Sequence, residues 1–368
     1  MSTATESRVV LITPMFNGRD GISLVSRVAA EQLGAAGFKV DAYSLCAESS
    51  KEVPRNTRLW TAENGAFKFS AKLLQVAGNG VEAGTIVLAM HVHLAPAAFP
   101  FLWRGARLSV FLHGIEAWKP LRMRERIAIN AAHSVIANSQ ATVDRFKIEN
   151  PKFVTLPVHV CPLGISPLEV PAEGPSLALN RFALIVGRLV GASRYKGHDE
   201  LLEVWGAVMQ RAPGLNLVIA GDGPDRSRLE AKANSLNLNG RVTFTGFVND
   251  QELQRLYRDC EFFIMPSTGE GFGLVYLEAM RAAKACIAAP GAAESVVENE
   301  RTGIIVDPSS REQLLDAILR LATQPGLRDK FGNAGCLRFK EEFTASRFGN
   351  KLIAALTGEK AVSAKCVE

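Results

Sequence analysis

Short apolar runs alternate along this chain with stretches of helical periodicity. Arg8–Thr13 reads as a buried strand, and Leu24–Ala36 has helical spacing that stops at Gly37. Val40–Leu45, Thr85–Val92, Leu108–His113 and Ser134–Ala137 are further strand candidates. Between Pro157 and Pro175 lie five prolines and two glycines, a composition that suits a linker rather than a helix or central strand. A second series then begins. Phe182–Val186, Leu215–Ala220, Val242–Thr245, Phe262–Met265, Cys286–Ala289 and Gly303–Val306 read as strands, with helices at 199–211, 226–233, 277–283 and 311–322. Strands in series with intervening helices predict parallel, doubly wound α/β sheets. Two such series predict two Rossmann-like domains facing across a cleft. The boundaries expected are 1–160, a linker over 161–177 and a second domain over 178–342, with 343–368 completing the first.

Length and composition agree with this picture. The 368 residues suit two domains, and 47% hydrophobic with 21% charged residues suffices for proper cores. The formal net charge of +5 falls wholly in residues 1–170, where 18 basic residues face 13 acidic ones. That asymmetry points to an anionic partner for the first half, such as a membrane surface or a phosphorylated acceptor. The excess is too small for nucleic acid, and no recognition motif appears. Six scattered cysteines with no Cys-x-x-Cys pair read as buried hydrophobes in a reducing compartment. The first residues carry no apolar signal core, and the uncharged stretch 84–103 is interrupted by His91, His93, Pro96 and Pro100, so no spanning helix is expected. A cytoplasmic protein follows as the expectation.

The densest candidate chemistry lies in Glu270-Gly-Phe-Gly-Leu-Val-Tyr-Leu-Glu278. A glycine turn with one carboxylate runs into a helix with a second. Free N–H groups at a helix start bind anions or hydroxyls, and each carboxylate can accept from vicinal hydroxyls. On spacing alone, a capped helix with two solvated acids is the better reading. Gly187-Arg188 follows a strand and Lys196-Gly197-His198-Asp199 opens a helix, so both cations can converge on a diphosphate or simply flank a loop. Gly18 and Gly21 lie between the first strand and first helix, and Gly21 is the favoured backbone contact to a phosphate. His113-Gly114-Ile115-Glu116 ends a strand. No Gly-x-Gly-x-x-Gly follows the first strand, which disfavours a dinucleotide oxidoreductase. No Asp-x-Asp pair occurs in the chain.

Taken in order, Val-Gly-Arg188-Leu, Tyr-Lys196-Gly-His-Asp, Ala-Gly-Asp-Gly-Pro224, Phe-Thr-Gly-Phe-Val248 and Glu270-x7-Glu278 resemble the retaining glycosyltransferases of family 4, which have the GT-B fold. The resemblance is strongest over 182–308 and looser over 9–150. It implies a metal-independent hexosyltransferase using a UDP- or GDP-hexose, with no cofactor. In that family His113 would contact the transferred sugar, Arg188 and Lys196 the diphosphate, Glu270 the sugar hydroxyls and Glu278 the ribose. Phe272, Gly273 and Leu274 would offer backbone N–H groups, and Val248 would lie near the base. Glu116 is a candidate acceptor contact. The implied acceptor is a glycan or polyprenyl-diphosphate-linked saccharide in bacterial polysaccharide or glycolipid assembly. Trp118, Lys119, Arg122 and Arg126 belong to a basic, aromatic-bearing segment that can rest on an anionic bilayer, or form a solvated helix with one core face. This would make the protein peripheral on the inner membrane face. Two other readings share the fold: a sugar-nucleotide 2-epimerase, and a non-catalytic nucleotide-sugar-binding subunit.

Overall fold

The computed structural model describes residues 7–18, 20–47, 53–167 and 180–358. The chain divides into two compact units, Met1–Ser166 with Phe343–Glu368, and Pro167–Glu342. Each is built on a parallel sheet, as expected for an α/β doubly wound fold.

In the first unit the strands are β1 (Arg8–Thr13), β2 (Lys39–Ser44), β3 (Thr57–Thr61), β4 (Ile86–Ala89), β5 (Arg107–Leu112), β6 (Ser134–Ala137) and β7 (His159–Val160). They pair in parallel in the order β3-β2-β1-β4-β5-β6-β7. Central strands are continuous apolar runs because both faces are covered: Val9 to Ile12 and Ile86 to Ala89 are essentially inaccessible. The order reverses between β1 and β4, where loops leaving the carboxyl ends of two neighbouring strands diverge to opposite faces. Such a switch point is where open α/β sheets bind ligands. The helix Ala345–Thr357 packs on the helix Gly21–Ala35, so close that a side chain at Gly349 would strike Gln32. A parallel bridge between Ile165 and Thr344 ties the outgoing and returning chain together in this unit.

In the second unit β8 (Phe182–Val186), β9 (Asn216–Ala220), β10 (Val242–Gly246), β11 (Phe262–Met265), β12 (Cys286–Ala288) and β13 (Gly303–Ile305) form the sheet β10-β9-β8-β11-β12-β13, again parallel. Its switch point falls between β8 and β11. The loops after β8, β9 and β10 are stitched by backbone: Gly187 N–H donates to Ala220 at 3.0 Å, and Gly221 N–H to Gly246 at 3.1 Å. Gly221 has φ of +145°, and any side chain there would collide with the carbonyl of Gly187.

Several elements depart from the sequence expectation. The edge strand β3 and the helix Ala66–Gly78 occupy a stretch with no predicted element. The strand is mostly half-buried, without clean alternation, and the helix buries only Phe69, Leu73 and Ala77. The helix Asp250–Asp259, with a reciprocal Asn249–Glu252 capping box, was also not anticipated, nor was Pro325–Glu342. The proline-rich stretch begins with an edge strand, β7, while its residues 168–175 lie outside those described.

Candidate active site

The loops at the second unit's switch point bring together two residues 74 apart in sequence. Lys196 ends the 3-10 segment Gly191–Lys196 after β8, and Glu270 lies in the turn after β11. Lys196 Nζ donates to Glu270 Oε1 at 2.5 Å, with the side chains only 13% and 15% exposed. The Lys196 ammonium also sits 5.6 Å from the Tyr195 ring centroid, a cation–π contact. The segment carrying Lys196 is held by charge pairs. Arg194 and Arg228 both bond Asp225, Arg228 also bonds Asp199, and Lys232 bonds Asp199 at 2.8 Å. The Arg228 guanidinium holds the Asp199 carboxyl down at about 2 and Asp225 lower still. Arg188 stands apart from this network. It is exposed and has no hydrogen-bond or charge partner among the described residues, so it is free to meet an anion.

Beside this pair begins the helix Leu274–Arg281. Its N-cap is Gly273, which has φ of +93° and no side chain to cap with. A side chain at Gly273 would collide with the Tyr276 ring. The N–H groups of Leu274 and Val275 therefore have no hydrogen-bond partner among the described residues. Phe272 is buried, and Tyr276 anchors the helix by donating to the Met265 carbonyl at 2.5 Å and packing edge-on to Phe263. Burial of Tyr276, Leu277 and Met280 contributes on the order of 1.5–3 kcal/mol each, which fixes the helix start against the sheet. Glu278 lies one turn along. Its carboxylate Oε2 accepts from the Tyr257 hydroxyl at 2.8 Å, and burial raises its pKa. Val248 is half-buried in the loop after β10. Thus Arg188, Lys196, Val248, Glu270, Phe272, Gly273, Leu274 and Glu278 all lie in the second unit, in loops at the carboxyl ends of its strands or in the helix that follows β11.

The first unit presents a different edge. His113 follows β5 and is 8% exposed. Its ring hydrogen-bonds the backbone of Met90, its own carbonyl accepts from Asn138 Nδ2 at 2.5 Å, and its Nε2 is buried without a partner. Burial, reinforced by nearby His91, lowers its pKa to about 3, so it is neutral at physiological pH. Glu116 turns back on its own loop: Oε1 accepts from the His113 N–H at 2.5 Å, and burial raises its pKa. Its carboxylate is occupied with the turn that holds His113. Gly21 is the first residue of its helix rather than the residue before it. Asp20 is the N-cap, and Oδ1 accepts from Ile22 and Ser23 at 3.0 and 3.1 Å. Two N–H groups of the helix start favoured for phosphate, those of Ile22 and Ser23, are thus taken by the chain's own carboxylate.

On the segment proposed for membrane contact, Lys119 and Arg122 are exposed while Trp118 and Arg126 are half-buried. The exposed apolar groups are instead Met123 at 64%, Ile127 at 50% and Trp103 at 81%. Glu125, buried in the same helix, pairs with His93 at 2.9 Å. Among the described residues no helix is long and apolar enough to cross a membrane, and no group of three or more His, Cys, Asp or Glu is placed to hold a metal ion.

The family model for glycosyl transferases group 1 matches residues 176–338, the unit that carries the Lys196–Glu270 pair. A Bacillus subtilis protein, the uncharacterized glycosyltransferase YqgM, is 31% identical over 249 residues, covering 63% of this chain and 67% of that protein. The chain belongs to the group 1 glycosyl transferases. The chain is also similar to the α-D-kanosaminyltransferase of Streptomyces kanamyceticus, 30% identical over 46% of this chain and 43% of that protein. The GDP-mannose-dependent α-(1-6)-phosphatidylinositol monomannoside mannosyltransferase of Mycobacterium tuberculosis is 33% identical over 38% of each chain. The chain thus spans two thirds of the first relative and about two fifths of the other two. Among solved structures, sucrose-phosphate synthase from Thermosynechococcus elongatus superposes with a TM-score of 0.78 at 20% identity, covering 96% of this chain and all of that one. Anabaena HepE in complex with UDP and glucose gives 0.77 at 20%, with the same coverage. These structural likenesses show the GT-B fold.

One contributing residue was missed by sequence reasoning. Tyr257 lies 21 residues before Glu278, on a helix the hydropathy pattern did not reveal. Its only signal was the apolar spacing of Leu253, Leu256 and Tyr257 between capping acids.

Proposed function

We propose that this family member is a retaining hexosyltransferase that moves a hexose from UDP- or GDP-sugar to a hydroxyl of a glycan or polyprenyl-diphosphate-linked saccharide. The observation that carries this reading is the meeting of Lys196 and Glu270 at the switch point beside a helix start with no side-chain cap. A cation for phosphate, a carboxylate for hydroxyls and free N–H donors within one edge are the parts a sugar nucleotide needs. The M. tuberculosis relative, named for a GDP-mannose donor and a lipid acceptor, and the UDP complex of Anabaena HepE support the donor and acceptor classes.

In this reading Arg188, Lys196 and the Gly273–Leu274 backbone bind the diphosphate, and they need no metal to stabilise it as it leaves. Glu270 holds the sugar hydroxyls and Glu278 the ribose, with Val248 beside the base. His113, neutral and with a buried unpartnered Nε2, is the assigned contact to the transferred sugar near its anomeric carbon. The acceptor oxygen forms its bond to the anomeric carbon on the face from which the diphosphate oxygen departs. The acceptor proton passes to that departing oxygen, so no protein nucleophile is required. The segment with Trp118, Lys119, Arg122 and Arg126 is the part assigned to an anionic membrane, and it exposes Met123 and Ile127, while Trp103 is exposed at the end of the preceding helix.

Isothermal titration of the full chain without added metal, against UDP, GDP and ADP and then their hexose conjugates, tests the donor assignment. Selective binding that is lost in Arg188→Ala is the expected result. Absence of binding by folded protein, in solution and with vesicles present, overturns it. Turnover of the bound sugar nucleotide without any acceptor, giving its 2-epimer, would replace transfer by epimerisation.

A further inference from the structure

Glu278 does not face a ribose alone. Its Oε2 accepts from the Tyr257 hydroxyl at 2.8 Å. The same hydroxyl lies 3.3 Å from the Val275 carbonyl, but its single proton serves the nearer, charged oxygen better. Tyr257 is 2% exposed, and its ring packs on Phe263 of β11 at 5.7 Å. Burial, together with the Glu278 charge, pushes its own pKa well above 10, so it remains a donor throughout the physiological range.

The geometry points to Tyr257 as a positioning residue for nucleotide recognition: it holds Oε2 of Glu278 and leaves Oε1 to accept the vicinal hydroxyls of a ribose. This rests on the donor assignment above and adds to it a second element. The helix Asp250–Asp259 carries Tyr257 in its last turn, and its N-cap Asn249 directly follows Val248, the residue assigned to the base. One short helix therefore links the base loop at one end to the ribose carboxylate at the other.

Charged and titratable neighbours set the pH response. Arg281, on the same helix as Glu278, favours the ionised carboxylate, and Asp250, at the start of the Tyr257 helix, opposes it. The thiols of Cys260 and Cys286 lie near Tyr257, and Cys260 is held protonated by burial at about 12. Burial raises the Glu278 pKa, and the Tyr257 hydrogen bond works against that rise. Removing the hydroxyl should let the pKa climb further, so the carboxylate is lost at a higher pH.

The test is titration of the full chain with UDP and GDP between pH 5 and 8 for wild type, Tyr257→Phe and Glu278→Gln. Phenylalanine keeps the ring on Phe263 and deletes only the hydroxyl. Tyr257→Phe is expected to weaken whichever nucleotide binds by about tenfold at pH 7. The weakening on acidification should begin at a higher pH than in wild type, and Glu278→Gln should abolish that pH dependence. Binding of inorganic pyrophosphate should be unchanged in Tyr257→Phe. Nucleotide binding by Tyr257→Phe that matches wild type at every pH overturns the inference while leaving the donor site standing. Equal loss of pyrophosphate binding also overturns it, because the effect would then be general to the unit. Failure of wild type to bind either nucleotide removes the donor assignment, and this inference with it.

Discussion

Replacing Glu270 by glutamine should move two observables in opposite directions. Lys196 is committed to Glu270 at 2.5 Å, with both side chains largely shielded. At an effective dielectric near 20, attraction at that separation is ~6–7 kcal/mol. Desolvation of both groups offsets most of it, leaving a net contribution of about 1–2 kcal/mol. A diphosphate arriving without a sugar must draw Lys196 away from that partner. Glutamine removes the competition, so UDP or GDP alone should bind about 5–30-fold tighter. Transfer from the sugar nucleotide should fall by about 10²–10³, because the carboxylate proposed to orient the sugar hydroxyls is gone. Loss of the pair should also lower the melting temperature by about 2–8 °C for a unit of this size. Titration with the bare nucleotide, single-turnover transfer and a thermal melt give the three readouts. If Glu270→Gln weakened nucleotide binding and transfer by the same factor, the pair would not be a competitor for the phosphate, and the reasoning would fail.

The remaining predictions concern acid stability, metal and membrane. His198 is 3% exposed, and burial beside Lys196 lowers its pKa to about 4. Below pH 6.5 the unfolded chain takes up a proton there that the folded chain does not, so stability falls with pH by up to about 1.4 kcal/mol per unit until the folded pKa is reached. Urea denaturation of wild type and His198→Gln at pH 7, 6 and 5 should show a smaller loss in the variant, and parallel slopes would refute the assignment. Transfer should survive EDTA, whereas complete loss reversed by magnesium or manganese would show that the cations do not suffice. Sedimentation with phosphatidylglycerol vesicles should exceed that with phosphatidylcholine and drop in Trp103→Ser/Met123→Ser; equal, weak partition into both would remove the membrane assignment.

How far the sequence carried the reading can be traced residue by residue. The central strands were legible because parallel strands covered on both faces are continuous apolar runs, as in Val9–Ile12 and Phe262–Met265. The edge strand β3 was not, since a half-buried strand with Arg58 and Trp60 lacks that signature. Lys196 and Glu270 were each singled out, but their pairing depends on β8 lying next to β11, which spacing does not encode. Asp20 was readable in principle, because aspartate before a helix is a preferred cap. Attention to the glycines placed Gly21 before the helix, of which it is the first residue. Tyr257 was hidden because its contact to Glu278 joins two helices on either side of a strand.

The two helix starts differ in charge. Where Asp20 already supplies the negative end group, an incoming anion meets a like charge and finds the Ile22 and Ser23 donors taken. Where Gly273 supplies nothing, the same backbone geometry stays open to phosphate. If the proposed donor assignment holds, the Asp20 carboxylate would disfavour a diphosphate at the first unit's helix start more than an uncharged hydroxyl. Exchanging Asp20 for glycine would make the two edges compete for the same ligand.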